Sequence, residues 1–477
     1  MRGTAVLGIQ QAVALVTSTT LHVVTGRLLG PEAYGLFFVV HSVLSLGVWT
    51  FLAGLPDAVS RLTAENQRNA LGILRTGVAY QAVVALLVAG VVYVSADPLA
   101  GLLGNDSLAP MLRLVSLAIP LTGVAYVYIQ SLNGLHRFGR QAIALGALNV
   151  FNLVGVLLFL RVESGAVIGA VRGLVYAAGA TAVIAVFLSH GTPRGDGPAS
   201  GGNLALQGLQ FSMTYLAIAA WERVDLIMLQ SLGNVPGDVG LFTAATAITA
   251  APEAIFFPLL IALFPAIARS TAAGAVGETT WYMRKSLGYA FRGLCPLVVG
   301  SVFVGREILD VFYGDAYVNA GFAIGPLVLV VLFYTLYQLM DTYLRGSGRS
   351  ALSVKIALSL LLVHVSLNFV LIPRFQLAGV LTTMVVTSIL AAAVTGVPVS
   401  RLLALRVPWT SAIKIAVASY VAFVPFHFWN PGGLGSLGLA VPCLAVYAGL
   451  LRLLRELDAD DMGRARELAR MVGLGRG

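Results

Sequence analysis

The chain has 477 residues, of which 58% are apolar and only 11% charged, with a formal net charge of +9. A soluble domain usually carries about 25% charged residues, so this composition, with a mean hydropathy of +0.87, argues for a polytopic membrane protein. It argues against a soluble enzyme and against the nucleic-acid partner that a basic soluble chain would suggest.

Apolar stretches recur along the whole length, each long enough to cross a ~30 Å hydrocarbon core. They predict fourteen spans, near 5–26, 34–55, 72–95, 109–131, 141–160, 166–189, 204–232, 240–264, 285–305, 320–343, 351–372, 376–400, 410–430 and 434–454. The first run, Ala5–Thr25, has no small-residue cleavage site and reads as an uncleaved span. The stretch 191–203 is rich in Gly, Pro and Ser and reads as a linker. The expected organisation is a six-helix bundle over 1–190, the linker, a second six-helix bundle over 204–402, two extra spans over 403–455 and an amphipathic tail helix over 456–477. Cys295 and Cys443 lie inside apolar runs, so neither a disulfide framework nor a metal site is expected.

Basic residues orient this map. With the N-terminus in the cytoplasm, 21 Lys and Arg fall in inside segments and 4 (Arg27, Arg161, Arg306, Arg374) outside. That excess is what the positive-inside rule expects. Both termini are then cytoplasmic, and the net positive charge is mostly membrane anchoring.

The pattern also occurs twice. RLLGPEAYGLF at 27–37 is answered by QSLGNVPGDVGLF at 230–242. LPDAVSRLTA at 55–64 is answered by FPAIARSTA at 264–272, which aligns Arg61 with Arg269. FGR at 138–140 leads to Asn149 and Asn152, and SGR at 347–349 leads to Asn368. The offset stays between about 203 and 209, as duplication of a six-helix unit requires.

These motifs, with Gly54–Arg61 closing the second span, Asp225 in the seventh, LFPAIAR at 263–269 and a Gly-Arg before the fifth and eleventh spans, carry a resemblance. The chain resembles the polysaccharide-exporter (Wzx-like) oligosaccharide flippases of the multidrug/oligosaccharidyl-lipid/polysaccharide superfamily. The resemblance implies an all-α fold of about fourteen transmembrane helices, with two pseudo-symmetric six-helix bundles around a V-shaped cavity and two C-terminal helices. It implies movement of a lipid-linked oligosaccharide across the cytoplasmic membrane by alternating access. Membrane lipids and the polysaccharide polymerase or export machinery would be its partners. No cofactor is expected beyond a coupling ion, H⁺ or Na⁺.

A polyprenyl-pyrophosphate headgroup needs cations inside the membrane, and ionisable groups in spans are functional by default. The seventh span holds Trp221, Glu222, Arg223 and Asp225. Arg223 is expected to meet phosphate or to balance the acids, and Glu222 or Asp225 to couple an ion; a structural ion network is the alternative. Arg27 matches an arginine of the related lipid II flippases, against the alternative of interfacial snorkelling. Arg61 and Arg269 suit a symmetric mouth for phosphate, or cytoplasmic anchoring. Arg172 and Arg292 are further cationic candidates, and Glu253 and Asp341 further ion-coupling ones. Gly169 and Gly173 beside Arg172 are expected to pack against another helix. His22, His41 and His364 are scattered, with no metal-ligand spacing, and read as structural hydrogen-bonding groups. Pro252, Pro258 and Pro265 suggest a kink in the eighth span.

Enzyme motifs are thin, and no enzymatic activity is expected. DADD at 458–461 lacks a nucleotide-binding domain, and GSG at 346–348 lacks a strand-turn-helix setting. Two rivals remain: a multidrug or metabolite antiporter of the same superfamily, and a membrane enzyme of the O-antigen polymerase or ligase type, against which the short outside loops argue.

Overall fold

A computed structural model describes residues 2–48, 54–163, 167–194, 201–404 and 409–456. Helices carry the whole apolar pattern, because a helix satisfies its own backbone polar groups where lipid offers no partner. In chain order they are α1 (Arg2–Leu46), α2 (Gly54–Glu65), α3 (Ala70–Val94), α4 (Ala96–Leu102), α5 (Leu108–Ser116), α6 (Ala118–Gly134), α7 (Phe138–Val162) and α8 (Val167–Leu188). There follow α9 (Gly201–Leu232), α10 (Asp238–Ala272), α11 (Val276–Tyr313), α12 (Gly321–Gly346), α13 (Ser350–Leu403), α14 (Trp409–Phe423), α15 (Pro425–Phe428) and α16 (Gly433–Leu453). The described residues contain no strand.

Ten helical stretches among the described residues are long and apolar enough to cross a membrane. Two of them hold two expected spans each. Gln10–Leu46 turns at Gly30 (φ 73, ψ 170), and Ser350–Leu403 turns at Gln376 (φ 52, ψ −128). Glycine takes a positive φ without a Cβ clash, and Pro31 restarts the helix where its missing N–H is not needed. Gln376 has no such freedom, and a side chain in this region costs on the order of 1–3 kcal/mol. Polar contacts hold it there: the Asn234 N–H donates to Gln376 Oε1 at 2.8 Å, and the Leu377 N–H to Asp238 Oδ2 at 3.2 Å. The seventh and eighth expected spans lie on α9 and α10. The expected tail helix falls beyond the described residues.

The chain packs as two compact units. The first is Met1–Ala244 with Asn368–Val380; the second is Ala245–Leu367 with Leu381–Gly477. In the first, α2, α3, α6 and the start of α9 share a core of Leu55, Val59, Ile73, Leu74, Val127 and Leu204. α7 and α8 approach closely, since a Cβ on Gly173 would lie 2.5 Å from the backbone of Gly155, and one on Gly169 2.8 Å from Phe159 O. Small residues allow such helix contact in membranes, where van der Waals packing has to drive association. Arg137 and Arg140 donate to the carbonyls of Gly191, Leu188 and His190 and so cap the end of α8.

In the second unit, α14 and α16 are cemented to α11. Phe423, Cys443 and Tyr447 pack with Cys295 and Val304, and Phe423 covers Gly300. Both cysteines are free thiols.

Candidate substrate and ion site

The turn at Gly30 folds α1 back on itself, so residues at similar distances from it on the two legs meet. His22 lies eight residues before Gly30 and Phe38 eight after, and their rings stack at 4.3 Å. His22 Nδ1 is 2.8 Å from the Tyr34 hydroxyl. His41 follows one turn beyond Phe38, with ring centroids 5.6 Å apart. Tyr34, Phe37 and Phe38 are buried, whereas the two imidazoles are half-buried. His41 Nδ1 is enclosed and has no hydrogen-bond partner among the described residues.

α9 packs on α1 and carries the densest expected cluster. Arg223 is half-buried. Asp225 is buried, and Asn368 Nδ2 donates to its Oδ1 at 2.7 Å. Asn368 is fully buried, and its own Oδ1 has no hydrogen-bond partner among the described residues. A buried oxygen without a donor is costly, by about 1–3 kcal/mol, so the Asn368 amide presents unused acceptor capacity. The side chain of Glu222 lies outside the described residues.

The remaining candidates are dispersed. Arg27 is exposed, three residues before the turn. Arg61 is exposed and pairs with Glu65 at 3.0 Å one helical turn on, and Arg269 is exposed near the end of α10. Arg172 pairs with Glu163. Arg292 Nη1 donates to Glu456 O beyond α16, its carbonyl accepts from the Tyr447 hydroxyl at 2.7 Å, and its guanidinium sits over Tyr289. Lys414 of α14 pairs with the Glu456 carboxylate at 3.3 Å. Glu253 is exposed on α10. Asp341 is buried, ion-paired with Arg345 at 2.8 Å, and accepts from Ser353 Oγ. His364 Nδ1 is 2.9 Å from Thr387 Oγ1, as a structural role requires. No group of three or more His, Cys, Asp or Glu able to hold a metal occurs among the described residues.

Sequence reasoning did not bring together three members of this site, His22, His41 and Asn368. His22 and His41 are nineteen positions apart, but a Gly-Pro turn between two spans is itself the signal that brings them together. Asn368 was noted only as part of the repeat; its role as the partner of Asp225 needs the tertiary contact.

A polytopic all-helical chain of this kind has the fold of known membrane transporters. The lipid II flippase MurJ, in an inward closed conformation, superposes with a TM-score of 0.78 at 14% identity, covering 94% of this chain and 98% of that one. A multidrug resistance MATE family transporter of the MOP superfamily, inward-facing, gives 0.70 at 16% identity, with 81% and 94% covered. A MOP superfamily transporter from Pyrococcus furiosus gives 0.54 at 17% identity, with 84% and 93% covered. A search of curated proteins finds no match. The family model for polysaccharide biosynthesis proteins matches residues 1–271, more than half of the chain. The chain belongs to that family.

Proposed function

We propose that the protein is a flippase that moves a polyprenyl-pyrophosphate-linked oligosaccharide across the cytoplasmic membrane for cell-surface polysaccharide synthesis. The observation that carries this reading is the half-buried Arg223, set beside a buried acid on a helix of a polysaccharide-biosynthesis family member. A guanidinium inside a span matches a diphosphate through its bidentate fork, while the prenyl tail stays in lipid. Alternating access of this site to the two sides of the membrane would carry the substrate across.

Asp225 with Asn368 is the leading place for a coupling ion, H⁺ or Na⁺, with Glu222, Glu253 and Asp341 as alternatives. Arg27, Arg61 and Arg269 would guide the headgroup. The Glu163 pair of Arg172 and the Glu456 contact of Arg292 favour structural roles for those two.

The buried acid also fits a multidrug or metabolite antiporter, and the MATE-like fold keeps that rival. Cells lacking the chromosomal copy should regain surface glycan with the wild-type gene. Arg223→Ala and Arg27→Ala should each lower export by about tenfold or more, as loss of a hydrogen bond to a charged group implies, with normal protein levels in the membrane. Normal export by both variants, or resistance to cationic drugs in place of glycan export, would defeat the reading.

A further inference from the structure

Four chain reversals meet at the end of the first compact unit that the charge bias places outside. Two belong to the first sequence repeat: the α1 turn at Gly30 and Pro31, and the loop after α4 at Leu103 and Gly104. Two belong to the second: the connection 233–238 between α9 and α10, and the α13 turn at Gln376. Their contacts are of two kinds. Within the second repeat, the Asn234 N–H donates to Gln376 Oε1 at 2.8 Å and the Leu377 N–H to Asp238 Oδ2 at 3.2 Å. Deeper on the same two helices, Asn368 Nδ2 donates to Asp225 Oδ1 at 2.7 Å. Asn368 and Gln376 are about 12 Å apart along α13, at 1.5 Å per residue. The outer ends of α9 and α13 are therefore tied at two levels. Each level includes a bond to a carboxylate, the kind that contributes about 1.5–3 kcal/mol.

Across the repeats the contact is of another sort. Gln230 Nε2 donates to Leu103 O at 3.1 Å. Beside that bond, backbone meets backbone. A Cβ on Gly35 would lie 2.7 Å from Gly240 N, and one on Gly240 would overlap Pro31 O. One on Gly237 would lie 3.5 Å from the Pro31 Cβ. Glycines at this seam make a tight fit with no side chains of their own to interlock. A neutral amide bond contributes only about 0.5–1.5 kcal/mol. Gly104 and Asn234 beside it are exposed, so water takes up the freed groups when the helix ends part.

We propose that this junction is the outer closure of the transport path and that it opens along the glycine seam, the outer ends of α9 and α13 leaving the α1 turn and Leu103 as one body. The proposal rests on the flippase reading given above. Gln230 follows Arg223 and Asp225 on α9 by about 8–11 Å along the axis, so the seam stands between those side chains and the outer face. A headgroup held at Arg223 leaves outward when the seam parts. The stronger ties within the second repeat persist, which keeps Asp225 and Asn368 together while the path is open.

The test uses the full-length chain in a cysteine-free background, in cells lacking the chromosomal copy, with surface glycan as the readout. Pro31→Cys with Gly237→Cys spans the seam, where a Cβ separation of 3.5 Å suits a disulfide. Asn234→Cys with Gln376→Cys joins α9 to α13 through a short bifunctional methanethiosulfonate, the link replacing the lost hydrogen bond. Mass spectrometry of the peptides gives the linked fraction. After copper-phenanthroline oxidation, export by the seam pair should fall to the unlinked fraction and recover with dithiothreitol. The reduced form carries the same substitutions and is the control. Linking Asn234→Cys to Gln376→Cys should leave export as it was before linking. If Pro31→Cys keeps the chain from the membrane, Glu32→Cys replaces it with the bifunctional reagent, since Glu32 N lies 3.8 Å from a Cβ on Gly237. Full export with the seam linked, failure of the seam pair to link, or an equal block by the second pair overturns the closure. A wild-type chain that restores no surface glycan defeats the flippase reading, and the closure of a glycan path with it.

Discussion

Arg61 and Arg292 are both basic residues in a membrane chain, yet their surroundings assign them different work. Arg61 makes an exposed pair with Glu65, with 59% and 55% of the two side chains accessible. Such a pair contributes about 0–1 kcal/mol. Arg292 is half-buried and joins α11 to the end of α16 through Glu456 and Tyr447. Its removal would leave a backbone carbonyl and an aromatic face without their partner. Arg292→Ala should therefore lower the unfolding free energy by about 1–3 kcal/mol, and Arg61→Ala should change it by no more than about 0.5 kcal/mol. Thermal melts of the two purified variants measure this directly. If Arg61→Ala nonetheless reduces glycan export, its role is in transport. Equal loss of stability in both would show that the contacts around Arg292 add nothing.

The two copies of the repeated motif, at 27–37 and 230–242, pack on each other within the first compact unit. Gly35 and Gly240 hold equivalent places in AYGLF and DVGLF. A Cβ on Gly35 would lie 2.7 Å from Gly240 N, and one on Gly240 only 1.8 Å from Pro31 O. The second distance is far inside contact, and the neighbour is backbone, so no rotamer change relieves it. Gly240→Ala should force the helix ends apart and cost more than an ordinary surface change, about 1–3 kcal/mol as overpacking does. Fluorescence-detected size-exclusion during a temperature ramp would show it, and a wild-type melting profile would refute it. The duplication was readable because the motif returns at a near-constant offset, and the spans because hydropathy reports the solvent. The turns at Gly30 and Gln376 were both readable as breaks between expected spans; that Asn234 and Asp238, some 140 positions away, hold the strained Gln376 was not. The pairing of Asp225 with Asn368 was hidden for the same reason. Arg172 and Arg292 were singled out from hydropathy alone, which does not show that Glu163 and Glu456 lie beside them.

At the scale of the whole molecule, the 21-to-4 bias in basic residues makes a prediction independent of any site. Moving a span in or out of the map would exchange inside and outside for every later segment, so the bias constrains all fourteen spans together. Single cysteines test it in a cysteine-free background. The native thiols Cys295 and Cys443 are buried and would contribute little labelling even if retained. Asp106→Cys and Pro431→Cys sit at exposed positions of loops expected outside; Gln67→Cys and Ala273→Cys sit at exposed positions expected in the cytoplasm. A membrane-impermeant maleimide should label the first pair in intact cells and the second only after permeabilisation. Because Asp106 and Pro431 are separated by ten expected spans, an odd number of missed or extra spans between them would label one and protect the other. Labelling of Gln67→Cys in intact cells would invert the orientation. Arg61 and Arg269, proposed above to guide the headgroup, would then lie on the wrong side for a substrate assembled in the cytoplasm, so this experiment also bears on the direction of transport.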